Sequence, residues 1–280
     1  MTDEMRKQPD PTPIEALLRL MTRLRDRESG CPWDAVQTFA TIAPYTIEEA
    51  YEVADAIARN DMTALEEELG DLLLQVVFHA EMAREAGAFD FDSVAGGIAD
   101  KMHRRHPHVF GDQKDGAGQA GWEAIKARER RARASEAGSS ALDGVALALP
   151  ALMRARKLQQ RAARVGFDWP DMESTLAKVD EELGELREAL DGGDESALAE
   201  EIGDLLFACV NVARRLGIDP EQALRGCNDK FVRRFSAVED GLATAGKAPE
   251  DSDLEEMDGL WEAAKRRERE PGPGSTNSDG

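Results

Sequence analysis

The segment EEELGDLLLQVV, Glu66 to Val77, returns as AEEIGDLLFACV, Ala199 to Val210, with its acidic pair, Gly-Asp step and leucines in register at a shift of 133 residues. An apolar helix face needs neither a glycine nor particular carboxylates, so this echo constrains the chain more than any other feature. The same shift carries Glu49, Glu52, Glu68 and Asp71 onto Glu182, Glu185, Glu201 and Asp204, with no gap between the two helices that bear them. Further on, DKMHRR (Asp100 to Arg105) answers DKFVRR (Asp229 to Arg234) at a shift of 129, and WEAIKARER (Trp122 to Arg130) answers WEAAKRRER (Trp261 to Arg269) at a shift of 139. What repeats is an ordered set: paired acids, paired acids, a basic helix, then Trp and Lys.

The elements of each copy read as helices. Ala, Leu, Glu and Arg dominate, aromatics are 5% and β-branched runs are scarce, which points to an all-α chain. TPIE at Thr12 is a helix start, with Thr as N-cap, Pro at the first helical position and Glu three residues after the cap. TIEE at Thr46 reads as a second start, for an amphipathic helix to about Arg59. A third helix runs from about Met62 to Ala86 and a fourth from about Asp92 to Arg105. GDQKDGAGQAG, Gly111 to Gly121, reads as a mobile loop. The resulting organisation is a disordered tail (1–13), a first helical domain (14–129), a linker (130–147), a second helical domain (148–269) and a disordered tail (270–280).

Charge and cysteine content narrow the function. Lys plus Arg total 35 against 56 Asp plus Glu, a net charge of −21, and such a surface repels phosphate backbones. Nucleic acid is therefore not an expected partner, although a small anion can bind where cations intervene. Cys31, Cys209 and Cys227 include no CxxC, which suggests reduced thiols in a cytoplasmic protein. No window approaches the roughly 20 apolar residues of a membrane span.

Glu48, Glu49, Glu52 and Asp55 share one side of their helix, and a charge run of that kind normally faces water. The next helix alters the reading. After Asp71 it is apolar nearly all round, which predicts burial, and Glu68 and Asp71 lie in that apolar setting. Buried carboxylates need a partner, and close like charges cost roughly 4 kcal/mol per contact at an effective dielectric near 20. No Lys or Arg is evident on these faces. A divalent cation supplies the missing charge, and all-oxygen ligation favours Mg²⁺ or Mn²⁺ over zinc. Gly70 and Gly203 stand between the ligands of their helices, where an absent side chain admits either a neighbouring helix or a ligand. A di-iron site would need Glu-x-x-His on two helices, which neither copy has. His79, opposite Val212, reads as a packing residue, and His103, His106 and His108 as turn or surface residues.

The run GCPWDAVQTFATIAPYTIEEAYE, followed by EELGDLLLQVVFHA and RRHPHVF, closely resembles the MazG family of nucleoside triphosphate pyrophosphohydrolases, from about Ile14 to Glu268. EExxE followed by ExxD is the metal motif of that all-α superfamily and occurs here twice. The resemblance implies tandem helical bundle domains packed as a homodimer, and Mg²⁺-dependent hydrolysis of NTPs or dNTPs to the monophosphate and pyrophosphate as nucleotide-pool housecleaning. It marks Glu49, Glu52, Glu68 and Asp71, and Glu182, Glu185, Glu201 and Asp204, as metal ligands. Lys230, Arg234, Trp261 and Lys265 become substrate contacts, with Lys101, Arg105, Trp122 and Lys126 in the corresponding places of the first copy. On this view activated water attacks the α-phosphorus, Lys230 or Arg234 stabilises the leaving pyrophosphate, and Glu181 or Glu182 orients the water. In the family the second domain commonly carries the stronger activity. A lone Trp such as Trp261 is more often a core anchor than a stacking platform, and Trp33 and Trp169 are open to the same reading.

Two other readings use the same carboxylates. A phosphoribosyl-ATP pyrophosphohydrolase would share them but is usually a single short domain. A metal-stabilised helical scaffold or regulatory protein would bind cations without turnover.

Overall fold

The computed structural model of the protein describes residues 10–111 and 140–269. The chain divides into two compact units, residues 1–134 and 135–280. Every regular element among the described residues is helical. The expected loop beyond Gly111, Trp122, Lys126 and most of both tails lie outside the described residues.

In the first unit, α1 (Pro13–Leu24) opens with the expected capping box, Thr12 Oγ1 accepting from Glu15 N–H and Glu15 accepting from Thr12 N–H. CPWD forms a short helix, α2 (Pro32–Val36), with Pro32 at its first turn. The expected helix start at Thr46 is wrong. α3 (Phe39–Ala58) begins seven residues earlier, capped by Thr38, and runs through Pro44. Thr46 is an interior residue whose hydroxyl lies 3.1 Å from His79 Nε2 and 3.4 Å from the Ile42 carbonyl. Pro44 removes one amide of the early helix, and tertiary packing of Ile42, 2% exposed, outweighs that loss. α4 (Met62–Glu85), α5 (Phe91–Arg105) and the single turn α6 (Pro107–Phe110) complete the unit.

α4 is the central element and contacts α1, α3 and α5. Its Val77, Phe78 and Met82 meet Met21 of α1 and Ile42 of α3 in one core cluster, with Leu17, Leu18 and Phe91 packed against it. Arg25 crosses this core almost completely buried. Its Nε and one terminal nitrogen each donate to Glu85 at 2.8 Å, the other nitrogen donates to the carbonyls of Asp34 and Gln37, and the guanidinium lies over the Phe78 ring. A single planar cation thus ties the chain before α2 to the end of α4.

The second unit contains α7 (Ala151–Arg164), α8 (Met172–Gly192), α9 (Glu195–Arg215), α10 (Pro220–Thr244), a 3-10 turn at Pro249–Asp251 and α11 (Leu254–Arg269). The α8/α9 hairpin reproduces α3/α4 down to its turn. Asn60 (φ 55°) and Gly193 (φ 72°) hold the same left-handed position, and Asp61 and Asp194 cap the helices that follow. α9 has 21 residues against 24 for α4, and the connection after it is one residue shorter, which together lower the repeat shift from 133 to 129. Pro107 stops α5 where Ser236, its counterpart, lets α10 continue. α11 packs on α10 so closely that a Cβ on Gly241 would stand 2.7 Å from Leu260 Cδ2.

Replacing Arg25 by Leu leaves Glu85 and the Gln37 carbonyl without their guanidinium donor and the Asp34 carbonyl with only the Gln37 N–H, and is expected to cost about 2–3 kcal/mol in a urea titration followed by circular dichroism. Glu85→Gln keeps both carbonyls paired and is expected to cost less than half as much. Equal losses would refute the central role of the guanidinium.

Candidate metal centre

Each hairpin carries two acids on each helix, and its turn fixes the register that brings them face to face. One carboxylate oxygen from each of Glu49, Glu68 and Asp71 falls within 4.8 Å of the others, and Glu182, Glu201 and Asp204 form an equal group. Glu52 stands within hydrogen-bonding reach of both Glu49 and Glu68, and Glu185 likewise approaches Glu182. Desolvation, then the charge of Asp71 and the neighbouring Glu52, holds the Glu49 carboxyl above its ordinary range. Glu68 is raised by desolvation and by Glu52, and Glu185 by desolvation and by Glu182.

These oxygens fit a hard divalent cation. In the first unit Gln75, whose Nε2 is 3.5 Å from Glu49 Oε1, keeps its own Oε1 buried with no partner, a further oxygen beside the cluster. Apart from the chain neighbours and the helix's own backbone, no atom of the described residues comes within 4 Å of where a Cβ on Gly70 or Gly203 would stand. Among the described residues, therefore, no neighbouring helix packs closely against either glycine.

Two expectations about this site need correction. α4 is not buried all round: Leu69 is 50% and Leu73 39% exposed, and Val76 continues the stripe. The counterparts on α9, Ile202 at 49% and Leu206 at 53%, are exposed in the same register, and so is Asp204. The periodicity overstated burial because one apolar side of each helix faces outward from its unit. A cation does sit on the second acidic face. Lys178 Nζ is 2.7 Å from Glu182 and 2.9 Å from Glu181, and the pairing raises the lysine pKa, Glu182 first. The signal was a Lys four residues before the ligand on the same helix. Tyr45 occupies that place in the first unit, edge-on to Trp33.

The two units also differ beside the carboxylates. In the second, a cavity of about 550 Å³ opens between α7, α8, α9 and the loop before α8, with Glu182 and Lys178 in its wall. Trp169, Phe207, Gln159 and Asn211 line the rest of the recess that matters here. At the equivalent positions of the first unit, Thr175 becomes Ile42, Ala208 becomes Gln75 and Asn211 becomes Phe78, all three buried. Larger side chains fill there what is open in the second unit.

The remaining expected site residues lie on α10 and α11. Arg234 donates to Glu268 at 2.8 Å and lies over the Trp261 ring, 5.7 Å from its centroid, while Trp261 also meets Phe231 at 5.3 Å. Lys265 pairs with Glu262, and Lys230 is exposed. Trp261 is partly buried. Among the described residues no ion pair joins these four to the carboxylates. Glu181 lies outside the cluster, on the solvent side of Lys178. In the first unit Lys101 and Arg105 occupy the last turns of α5. His79 stacks on Phe39 and is held in the neutral range by burial, as a packing histidine is.

The model of the family described as MazG nucleotide pyrophosphohydrolase domain matches twice, over residues 37–110 and 171–238, and each match contains one carboxylate tetrad. The chain belongs to this family. Similarity to whole relatives extends well past the matched segments. The chain is 52% identical over 262 residues to a nucleoside triphosphate pyrophosphohydrolase of Escherichia coli K12, covering 91% of this chain and 98% of the relative. To the nucleoside triphosphate pyrophosphohydrolase/pyrophosphatase MazG of Thermotoga maritima it is 46% identical over 252 residues, covering 90% and 95%. The domain matches end before α11, which carries Trp261 and Lys265 of this MazG chain.

The raised carboxyls set a pH dependence. Because Glu68 holds its proton more tightly in the folded protein than at its ordinary 4.5, the stability tied to it is full below that value and is lost as pH rises through the folded value. Metal-free Glu68→Gln protein is therefore expected to melt higher than wild type at about pH 7, with the gain vanishing by about pH 4. Added divalent cation should raise the wild-type melting temperature more than the variant's. Thermal denaturation in chelator across that range is the measurement, and a pH-independent difference would refute the repulsion.

Proposed function

We propose that the chain hydrolyses nucleoside triphosphates between the α- and β-phosphates to the monophosphate and pyrophosphate, with the working site in the second unit. One observation carries this choice: the cavity walled by Trp169 and Phe207 shares Glu182 and Lys178 with the carboxylate cluster, so a space of nucleobase size opens directly onto the groups suited to a cation. Glu182, Glu185, Glu201 and Asp204 hold Mg²⁺, for which Mn²⁺ can substitute. When bound, the cation supplies the positive charge that lets a polyanion enter an acidic site and that increases the acidity of water there.

The chain's own groups supply the rest. Lys178 lines the wall of the cavity beside Glu182, where an ammonium can bind phosphate oxygens. Lys230, Arg234 and Lys265 offer further cations for the triphosphate, and Trp261 offers a flat face beside Arg234. Glu181 or Glu182 orients the attacking water. In the first unit Glu49, Glu52, Glu68 and Asp71 bind a cation, but Ile42, Gln75 and Phe78 occupy the place of a base. Lys101, Arg105, Trp122 and Lys126 are then remnants of the duplicated pattern rather than substrate contacts.

The protein works as a homodimer in the cytoplasm. The outward apolar stripes of α4 and α9 support the dimer, since faces of this kind are normally covered. The unpaired Cys31, Cys209 and Cys227 agree with a reducing compartment. No helix among the described residues is long and apolar enough to cross a membrane.

Incubation with NTP and Mg²⁺ in ¹⁸O-water is expected to give monophosphate and pyrophosphate with the label in the monophosphate. Nucleoside diphosphate plus phosphate would refute the proposed bond, and no turnover would favour a metal-binding scaffold. Glu201→Gln should lower kcat/KM by roughly a hundredfold or more while Glu68→Gln stays within about threefold of wild type. Equal losses would overturn the assignment to the second unit. Leu206→Glu should yield monomers by light scattering; a dimer that persists in both Leu206→Glu and Leu73→Glu would place the interface elsewhere.

A further inference from the structure

Gln159 on α7 is 7% exposed and lines the cavity of the second unit. Its amide orientation is set by one bond: Nε2 donates to the Phe207 carbonyl at 2.8 Å. That leaves Oε1 buried with no partner. A buried amide oxygen without a donor is destabilising, and such atoms persist where a ligand or ordered water completes them. Across the same cavity Asn211 is fixed in the opposite sense, its Oδ1 accepting from Arg214 Nε at 2.9 Å, so that its Nδ2 remains the donor. Arg214 is in turn anchored on Asp168, beside Trp169. The recess therefore presents one acceptor and one donor, the first locked by a backbone carbonyl and the second by a hydrogen bond from Arg214.

We propose that Gln159 determines which nucleobases enter, by accepting a hydrogen bond from a base N–H, with Asn211 donating to a base nitrogen or carbonyl next to it. The inference rests on the reading of the cavity as the base site. The class of substrate is then nucleotides whose bases carry a free N–H on the hydrogen-bonding edge, an amine on adenine or cytosine or a ring N–H on uracil or guanine. A base with no N–H is rejected because Oε1 stays buried and unpaired in its complex. Gln159 is a poor fit to a merely structural amide, since its one side-chain hydrogen bond among the described residues uses the nitrogen and leaves the oxygen buried without a donor.

The test compares ATP with purine riboside triphosphate, which keeps the ring system and lacks every N–H, using the full-length protein with Mg²⁺. Wild type is expected to prefer ATP by roughly tenfold in kcat/KM, expressed in KM, with kcat little changed. In Gln159→Met, of similar volume, that ratio should fall to near one. An absent preference in wild type overturns the proposal without any variant, and a preference retained in Gln159→Met overturns it as well. Ala208→Trp, which fills the recess, separates the two readings. If its KM for ATP matches wild type, the cavity is not the base site; if its KM rises while Gln159→Met keeps the preference, only the role of Gln159 fails.

Discussion

The repulsion among carboxylates across each helical hairpin is the constraint on which the rest of the molecule depends. Helices α3 and α4, and α8 and α9, are joined by a turn so tight that the acids of one helix must face those of the next. Desolvation and mutual charge then raise Glu49, Glu68 and Glu185. A fold that only needed stability would place leucines there. The acids make sense as a preformed set of oxygens whose repulsion a divalent cation relieves, so that the free energy withheld from folding becomes affinity for the ion. A net charge of −21 makes the same demand on a larger scale, because a triphosphate can approach only where cations intervene.

Duplication supplied two such clusters, and packing separated their uses. In the first unit Phe78 and Ile42 belong to the core around Met21 and Met82, which gives α4 a firm seat against α1. In the second, Asn211 and Thr175 hold the same positions, and what would have been core is cavity. The burial that stabilises one copy is the opening that gives the other a ligand space. Lys178 extends the contrast, since it neutralises part of the second cluster while the uncharged Tyr45 holds the same place in the first.

Much of this was legible in the sequence because it rests on local rules. The capping box at Thr12, the span of α4 and the constant shift of eight carboxylates all follow from periodicity and turn chemistry. Where reading failed, tertiary structure overruled a local signal. Thr46 has the residues of a cap, but packing of Ile42 and a true cap at Thr38 carry α3 through Pro44. Lys178 escapes a reading of the acidic face alone because it stands one turn before Glu182 on the same helix. The outward stripe at Leu69 and Leu73 reads as core because composition cannot tell a covered face from one turned away from its unit.

The cavity was the least legible feature, for a general reason. A void is made by residues that fail to meet, here Ala162, Thr175 and Ala208 on three helices, and no short window contains all three. The repeat nevertheless held a trace of it. Aligned at 133, Gln75 pairs with Ala208 and Phe78 with Asn211, a loss of volume at both positions and an amide moved one turn along the helix that carries Glu201 and Asp204. Differences between copies in a duplicated chain therefore say as much as the identities. The identities gather oxygens suited to a cation in both units; the substitutions leave open in the second unit a cavity that larger side chains fill in the first.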